Sequence, residues 1–401
     1  MKMELTLDSF QLEVRTNVRF GKGLVRHFPF LVLEEYQYRR IGLLVDGGLY
    51  DHCEWLKEVI RTANAKFEKM ILHVYREKFE PSYEYLDRLK KEFVSQDASS
   101  LDCIVAIGGG SVLDTAKGIA TLLTNDGPSL QFRGFPAGLK PSIPVIAIPS
   151  TAGTGSEMTF NAVFIDNNER KKLGINTKNN YPVLAILDPE LIAVAPKSVI
   201  VSSGVDALVH TLESFVSKKS NYMTRIYSRE AFRLIINALP RLVNSPNDQE
   251  LCARMQLGSS LAILALSNSS SGPAGGLSYY LGSNFSVPHG IAGGVFIGRI
   301  TSLNHMNGYY GYSELYDLIE LNQTPITDDK KRSEFVVSTI KSVLQKIGIS
   351  PNLTQFGLAK RDLEGFYKFA TMNLKAAFDF NPVAISHEQI RQMLAQMLGV
   401  T

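Results

Sequence analysis

From Ile41 to Ser150 the chain alternates short, uninterrupted apolar runs with longer amphipathic segments, and after about residue 190 that alternation stops. IGLLVD at 41–46, MILHVY at 70–75, DCIVAIGGG at 102–110 and PVIAIPS at 144–150 read as strands. Residues 51–64, 83–96 and 111–123 read as helices. Strands apolar on both faces and separated by helices need crossover connections, so this half is expected to form a parallel α/β sheet. Beyond it, residues 197–216, 224–243, 248–267, 289–304, 331–347, 361–376 and 386–398 read as helices, and strand signals nearly vanish. An α/β domain over 1–192 followed by an all-helical domain over 193–401 is the simplest account. The switch is expected near Asp188-Pro189-Glu190, because proline disfavours helix in the residue before it.

The remaining sequence properties exclude several classes of protein. A chain of 401 residues exceeds one ordinary core. Apolar residues make up 45% and charged residues 20%, a globular balance, and the net charge of +3 gives no case for nucleic-acid or membrane binding. Cys53, Cys103 and Cys252 are widely spaced and odd in number, which suits reduced thiols and not a disulfide framework or zinc cluster. No uninterrupted apolar run approaches the ~18 residues of a membrane span. The N-terminus, MKMELTLDSFQLEV, lacks the apolar core of a secretory signal, so a cytoplasmic location is expected.

Gly108-Gly109-Gly110-Ser111, continuing to Asp114 and Lys117, follows an apolar strand and opens a helix. Glycines allow close backbone approach, and N–H groups at a helix N-terminus favour an anion such as a pyrophosphate. The pattern is neither GxGxxG nor a P-loop, and it equally suits a tight strand-to-helix turn with no ligand. A second small-residue run, Pro149 to Glu157, follows another strand and offers the hydroxyls of Ser150, Thr151, Thr154 and Ser156. Two such loops after strands of one parallel sheet suit the rule that ligands bind beyond the carboxyl ends. Asp46 ends a strand, where a carboxylate either accepts from a ribose 2′-OH or caps the next helix.

In the second half, Asp206 and His210 lie four apart within a helix and share a face. A carboxylate and an imidazole so placed can grip a divalent cation, or simply pair with each other. His289, in Val287-Pro288-His289-Gly290, is a further possible ligand.

In order, GGGSVLDTAK, PSTAGTGSE, DPEL, GVDALVHTLE and PHG make the chain resemble the iron-containing (group III) alcohol dehydrogenases, nearly from end to end. The resemblance implies an NAD(P)-binding α/β domain, a helical metal-binding domain and an active site in the cleft between them. It implies cofactor contacts at Asp46, Gly108, Gly109, Gly110, Ser111, Asp114, Thr151, Thr154, Ser156 and Lys172, with Asp46 favouring NAD over NADP. It implies a divalent metal, Fe2+ or Zn2+, on Asp206, His210 and His289, a small-molecule alcohol or aldehyde substrate, and a homodimer.

At two positions the chain departs from that pattern. The family's third metal ligand corresponds to Gly275, and a histidine often assigned to proton transfer corresponds to Tyr279. Three ligands still suffice for a catalytic-type site, and Tyr279, Ser278 or a water chain would then have to handle the proton. A histidine restored at 275 is expected to tighten the metal if the backbone follows the family's path. A substrate supplying its own ligand, such as an α-hydroxy carbonyl or a sugar acid, would suit the gap. GLSY at 276–279 and VPHGIAGGVF at 287–296 resemble the branch with 3-deoxy-octulosonate 8-oxidase-like sugar-acid oxidases. Other readings are a dehydroquinate-synthase-like or glycerol-dehydrogenase-like enzyme, and a non-catalytic cofactor-binding relative that has lost its metal.

Overall fold

A computed structural model describes residues 9–77, 80–169, 171–320 and 325–400. The described residues separate into two compact units. One is Val14–Ala195. The other runs from Pro196 onward and includes residues 9–13, where Glu13 exchanges hydrogen bonds with Asn268. The division thus falls a few residues beyond the expected one, and the segment before Val14 goes with the helical unit.

The first unit is built on strands β1 (Asn17–Phe20), β2 (Arg40–Asp46), β3 (Lys69–Tyr75), β4 (Cys103–Gly108), β5 (Val145–Pro149) and β8 (Leu184–Leu187). They form one sheet in the order β1-β8-β5-β4-β2-β3, parallel throughout. All six residues of β4 are buried, because apolar layers cover both faces. Phe93, Val112, Ala116 and Ile119 pack on one side, and Phe28, Leu56 and Ile60 on the other. A pair of antiparallel strands, β6 (Val163–Asp166) and β7 (Lys171–Gly174), lies outside this sheet. Periodicity did not reveal β1, β6, β7 or β8: each has four residues, too few to show a repeat.

From β2 the chain crosses to β3 on one side and then to β4 on the other. The carboxyl ends of β2 and β4 therefore flank the point where strand order reverses, which is where open α/β sheets bind ligands. Asp46 and Gly108 are the last residues of those two strands.

The second unit is helical. Its principal helices are Lys197–Val216, Tyr222–Leu242, Gln249–Ser267, Pro273–Phe285, His289–Met306, Asp329–Lys346, Leu363–Asn373 and His387–Met397. Asn221, Asp248, Asp328 and Ser386 cap four of them through side-chain oxygens, satisfying orphan N–H groups. The Lys197–Val216 helix is long and apolar enough by composition to cross a membrane, but 72% of that stretch is buried. It also carries Asp206, His210 and Glu213, so it suits the core helix of a folded unit. The Pro273–Phe285 helix was not expected from sequence, since glycines crowd its first turn and no capping side chain precedes it.

Candidate active site

In the first unit the two small-residue loops meet. The helix Gly110–Leu122 starts immediately after β4, with Gly109 as its N-cap in extended backbone. A β-carbon on Gly109 would stand 3.2 Å from Thr151 Cγ2, and one on Gly110 only 2.7 Å from Thr154 Cγ2. One on Gly108 would overlap Val112, at 2.6 Å. Neighbouring side chains crowd these three positions independently of any ligand. Thr154 is exposed, and Thr151 and Ser111 are partly so, leaving hydroxyls at the mouth of the turn.

Asp114 and Ser156 have hydrogen-bond partners within the unit. The Ser156 hydroxyl donates to Asp114 Oδ1 at 2.5 Å, and the Val163 N–H donates to Asp114 Oδ2 at 2.9 Å. Lys117, fully buried, donates to Ser156 Oγ at 2.7 Å, Ser156 O at 2.6 Å and Asn161 O at 2.8 Å. The polar atoms of Asp114 and Ser156 are thus spent inside the unit, holding the second loop against the first. Burial pulls the Lys117 ammonium down to about 8, against the opposing pull of Asp114 and Glu157. Burial also raises Asp114. Sequence could not assign this role to Lys117, because its partners lie about forty residues away.

Asp46 fulfils its capping reading. Its carboxylate accepts from the Leu49 N–H at 3.0 Å and so caps the Gly47–His52 helix. The same residue stands at the switch point of the sheet. Lys172 lies on β7, its ammonium paired with Glu80.

In the second unit, Asp206, His210 and His289 come together: one donor atom from each lies within 4.8 Å of the others. Nε2 of His210 is 3.5 Å and Nε2 of His289 is 3.8 Å from Asp206 Oδ1. Close crossing of the Lys197–Val216 and His289–Met306 helices makes this possible. A β-carbon on Gly290 would stand 1.9 Å from Ser202 O, and one on Gly294 would stand 2.3 Å from Val205 Cγ1. The side chains are 7%, 13% and 27% exposed in the order Asp206, His210, His289, so the cluster is reached from the His289 side. His210 Nδ1 is buried without a partner among the described residues. A carboxylate with two imidazoles is a donor set that Fe2+ and Zn2+ both accept, and the residues present fit a divalent ion.

Gly275 faces the buried carboxylate of Glu213: its N–H donates to Oε1 at 2.9 Å, and an added β-carbon would sit 2.9 Å from Oε2. A side chain at 275 therefore requires the end of the Glu213 side chain to give way. Ser278 is fully buried, bonded to Gly275 O at 2.6 Å and to His289 Nδ1 at 2.9 Å. So placed, it supports His289 and cannot reach a substrate as a proton acceptor. Tyr279 is 40% exposed, its ring centroid 5.3 Å from that of His289.

A parallel sheet with a glycine turn at its switch point, joined in one chain to a helical unit holding two imidazoles and a carboxylate, defines a two-domain dehydrogenase scaffold. Residues 15–189 match the family model described as iron-containing alcohol dehydrogenase, and residues 200–398 match that of the Fe-containing alcohol dehydrogenase family, C-terminal. The chain belongs to the iron-containing alcohol dehydrogenase family, and is an oxidoreductase of that type. It is similar to alcohol dehydrogenase 4 of Schizosaccharomyces pombe, 28% identical over 87% of this chain and 78% of that one. It is 31% identical to the 4-hydroxybutyrate dehydrogenase of Clostridium kluyveri, over 73% and 78% of the two chains. Among solved structures, a 1,3-propanediol oxidoreductase superposes with a TM-score of 0.86 at 25% identity, covering 97% of this chain and 100% of the other.

Proposed function

We propose that this chain interconverts an alcohol with an aldehyde or ketone, using NAD(H) and a divalent metal held by Asp206, His210 and His289. The clustering of those three donors carries the reading. When bound, the ion polarises an alcohol oxygen and the nicotinamide accepts hydride. Gly108, Gly109, Gly110 and Ser111 present the helix N-terminus to a pyrophosphate, with Thr151 and Thr154 at its rim. Asp46 bonds a ribose hydroxyl and repels a 2′-phosphate. Lys117, Asp114 and Ser156 fix the loop that carries the two threonines. Tyr279, exposed beside His289, carries the proton between substrate and solvent. Lys172 stays with the cofactor group on the family pattern alone.

With three side-chain ligands in place of the family's four, the site favours a substrate bearing a second donor beside the reacting carbinol, such as a sugar acid or polyol. Two relatives support the oxidoreductase reading: a 4-hydroxybutyrate and a 1,3-propanediol dehydrogenase each act on an alcohol with a second polar group. The test is NAD+ reduction by protein stripped of metal and reloaded with Fe2+ or Zn2+, across simple alcohols, diols and hydroxy acids. Equal turnover by rigorously metal-free protein would remove the metal from the reading. Simple alcohols outperforming every bidentate substrate would remove the substrate class.

The homodimer belongs to the same proposal. β1 is an edge strand with every residue exposed, Val18 and Phe20 among them, whereas the opposite edge, β3, carries Lys69 and His73. An unprotected apolar edge invites strand pairing, and a two-fold axis lets β1 pair antiparallel with its own copy. Sedimentation should show a dimer that Val18→Lys dissociates, and a monomeric wild type would refute it.

A further inference from the structure

We propose that the position corresponding to the family's third metal ligand has become part of a hydrogen-bond line, Glu213 to the Gly275 peptide to Ser278 to His289. This line holds His289 in the Nδ1–H tautomer, with the lone pair on Nε2, the nitrogen on the Asp206 side. The inference rests on the metal reading above.

The line is built from three helices. Glu213, on Lys197–Val216, is 3% exposed. It accepts the Gly272 N–H at 2.7 Å and the Gly275 N–H at 2.9 Å. A carboxylate from another helix thereby caps Pro273–Phe285, whose own N-cap, Gly272, has no side chain to do so. The capped first turn fixes the Gly275 carbonyl, which accepts the Ser278 hydroxyl at 2.6 Å. A hydroxyl has one proton, and a carbonyl has none to give. With its proton committed to Gly275 O, Ser278 can meet His289 Nδ1, 2.9 Å away, only as an acceptor. Nδ1 therefore carries the ring's hydrogen, and Nε2, on the Asp206 side of the ring, keeps its lone pair. A hydrogen bond at the distal nitrogen of a ligating histidine fixes its tautomer and orientation and raises its basicity.

Gly275 is then required by the line and is more than a lost ligand. Any β-carbon there would press on the Glu213 carboxylate, both of whose oxygens are engaged. Ser278, fully buried, is a positioning residue that acts through His289.

The deciding measurement is a long-range 1H–15N correlation spectrum of metal-free, histidine-labelled protein at about pH 8.5, where imidazoles are neutral. His289→Asn assigns the signal. The expected wild-type result is the Nδ1–H tautomer, and loss of that preference in Ser278→Ala. Competition with a chromophoric chelator should show the Zn2+ Kd rising about tenfold or more in Ser278→Ala, with Ser278→Thr retaining part of the affinity. A wild-type His289 protonated at Nε2 overturns the proposal even if Ser278→Ala fails to fold. So does an unchanged Zn2+ Kd in folded Ser278→Ala. If neither protein binds zinc, the metal reading falls while the tautomer still decides the hydrogen-bond line.

Discussion

The ammonium of Lys117 sits 2.7 Å from Ser156 Oγ, with no surface of its own exposed, so a residue of the glycine-turn helix pins the loop that follows β5. Lys117 cannot touch a bound dinucleotide, yet the threonines offered to one depend on it. Lys117→Met is expected to raise the Kd for NADH about tenfold and to lower the melting temperature by several degrees, since it strands the buried Asp114 carboxylate. Titration calorimetry and thermal melts measure the two effects. A folded variant with unchanged NADH affinity would show that the loop holds its shape unaided.

The same residue gives a pH signature. Its folded value of about 8 lies below the ordinary lysine value that the unfolded chain retains. Between the two the unfolded state binds more protons, so this group's contribution to stability rises with pH across that window. The difference in melting temperature between wild type and Lys117→Met should widen in favour of the wild type from pH 8 to pH 10. A flat difference would mean that Lys117 titrates alike in both states.

Asp46 both caps a helix and stands at the switch point, so the test of its charge must spare the cap. Asparagine caps about as well as aspartate. Asp46→Asn should leave the melting temperature within about a degree and narrow the NADH-over-NADPH preference by about tenfold, or ~1.4 kcal/mol. A wild type that prefers NADPH would refute the assignment.

His210→Ala leaves one carboxylate and one imidazole in the cluster. Metal retained after dialysis should fall to background, and turnover with it. Metal content by emission spectroscopy checks this directly, and retention at the wild-type level would point to ligands outside these three.

Gly275→His, chosen from sequence to tighten the site, is expected to do the opposite. Its β-carbon would displace a buried carboxylate that caps a helix, at a cost of about 1–3 kcal/mol. The melting temperature should drop, and metal affinity should not improve. A stable variant with tighter metal binding would show that Glu213 yields easily.

What the sequence settled about this protein was periodic or contiguous. β2, β3, β4 and β5, the Lys197–Val216 helix and the pairing of Asp206 with His210 could all be read, because each signal spans only a few residues of chain. The order of motifs supplied His289 and the family. Tertiary structure decided what depends on partners far apart in sequence. The capping of Pro273–Phe285 by Glu213 spans 59 residues, so no local signal marks that helix. The roles of Ser278, Lys117, Asp114 and Ser156 follow from which buried polar atom finds which partner, and burial is a property of the packed chain. Gly275 shows the difference most sharply: in sequence it is a missing ligand, and in the fold its N–H bonds a buried carboxylate.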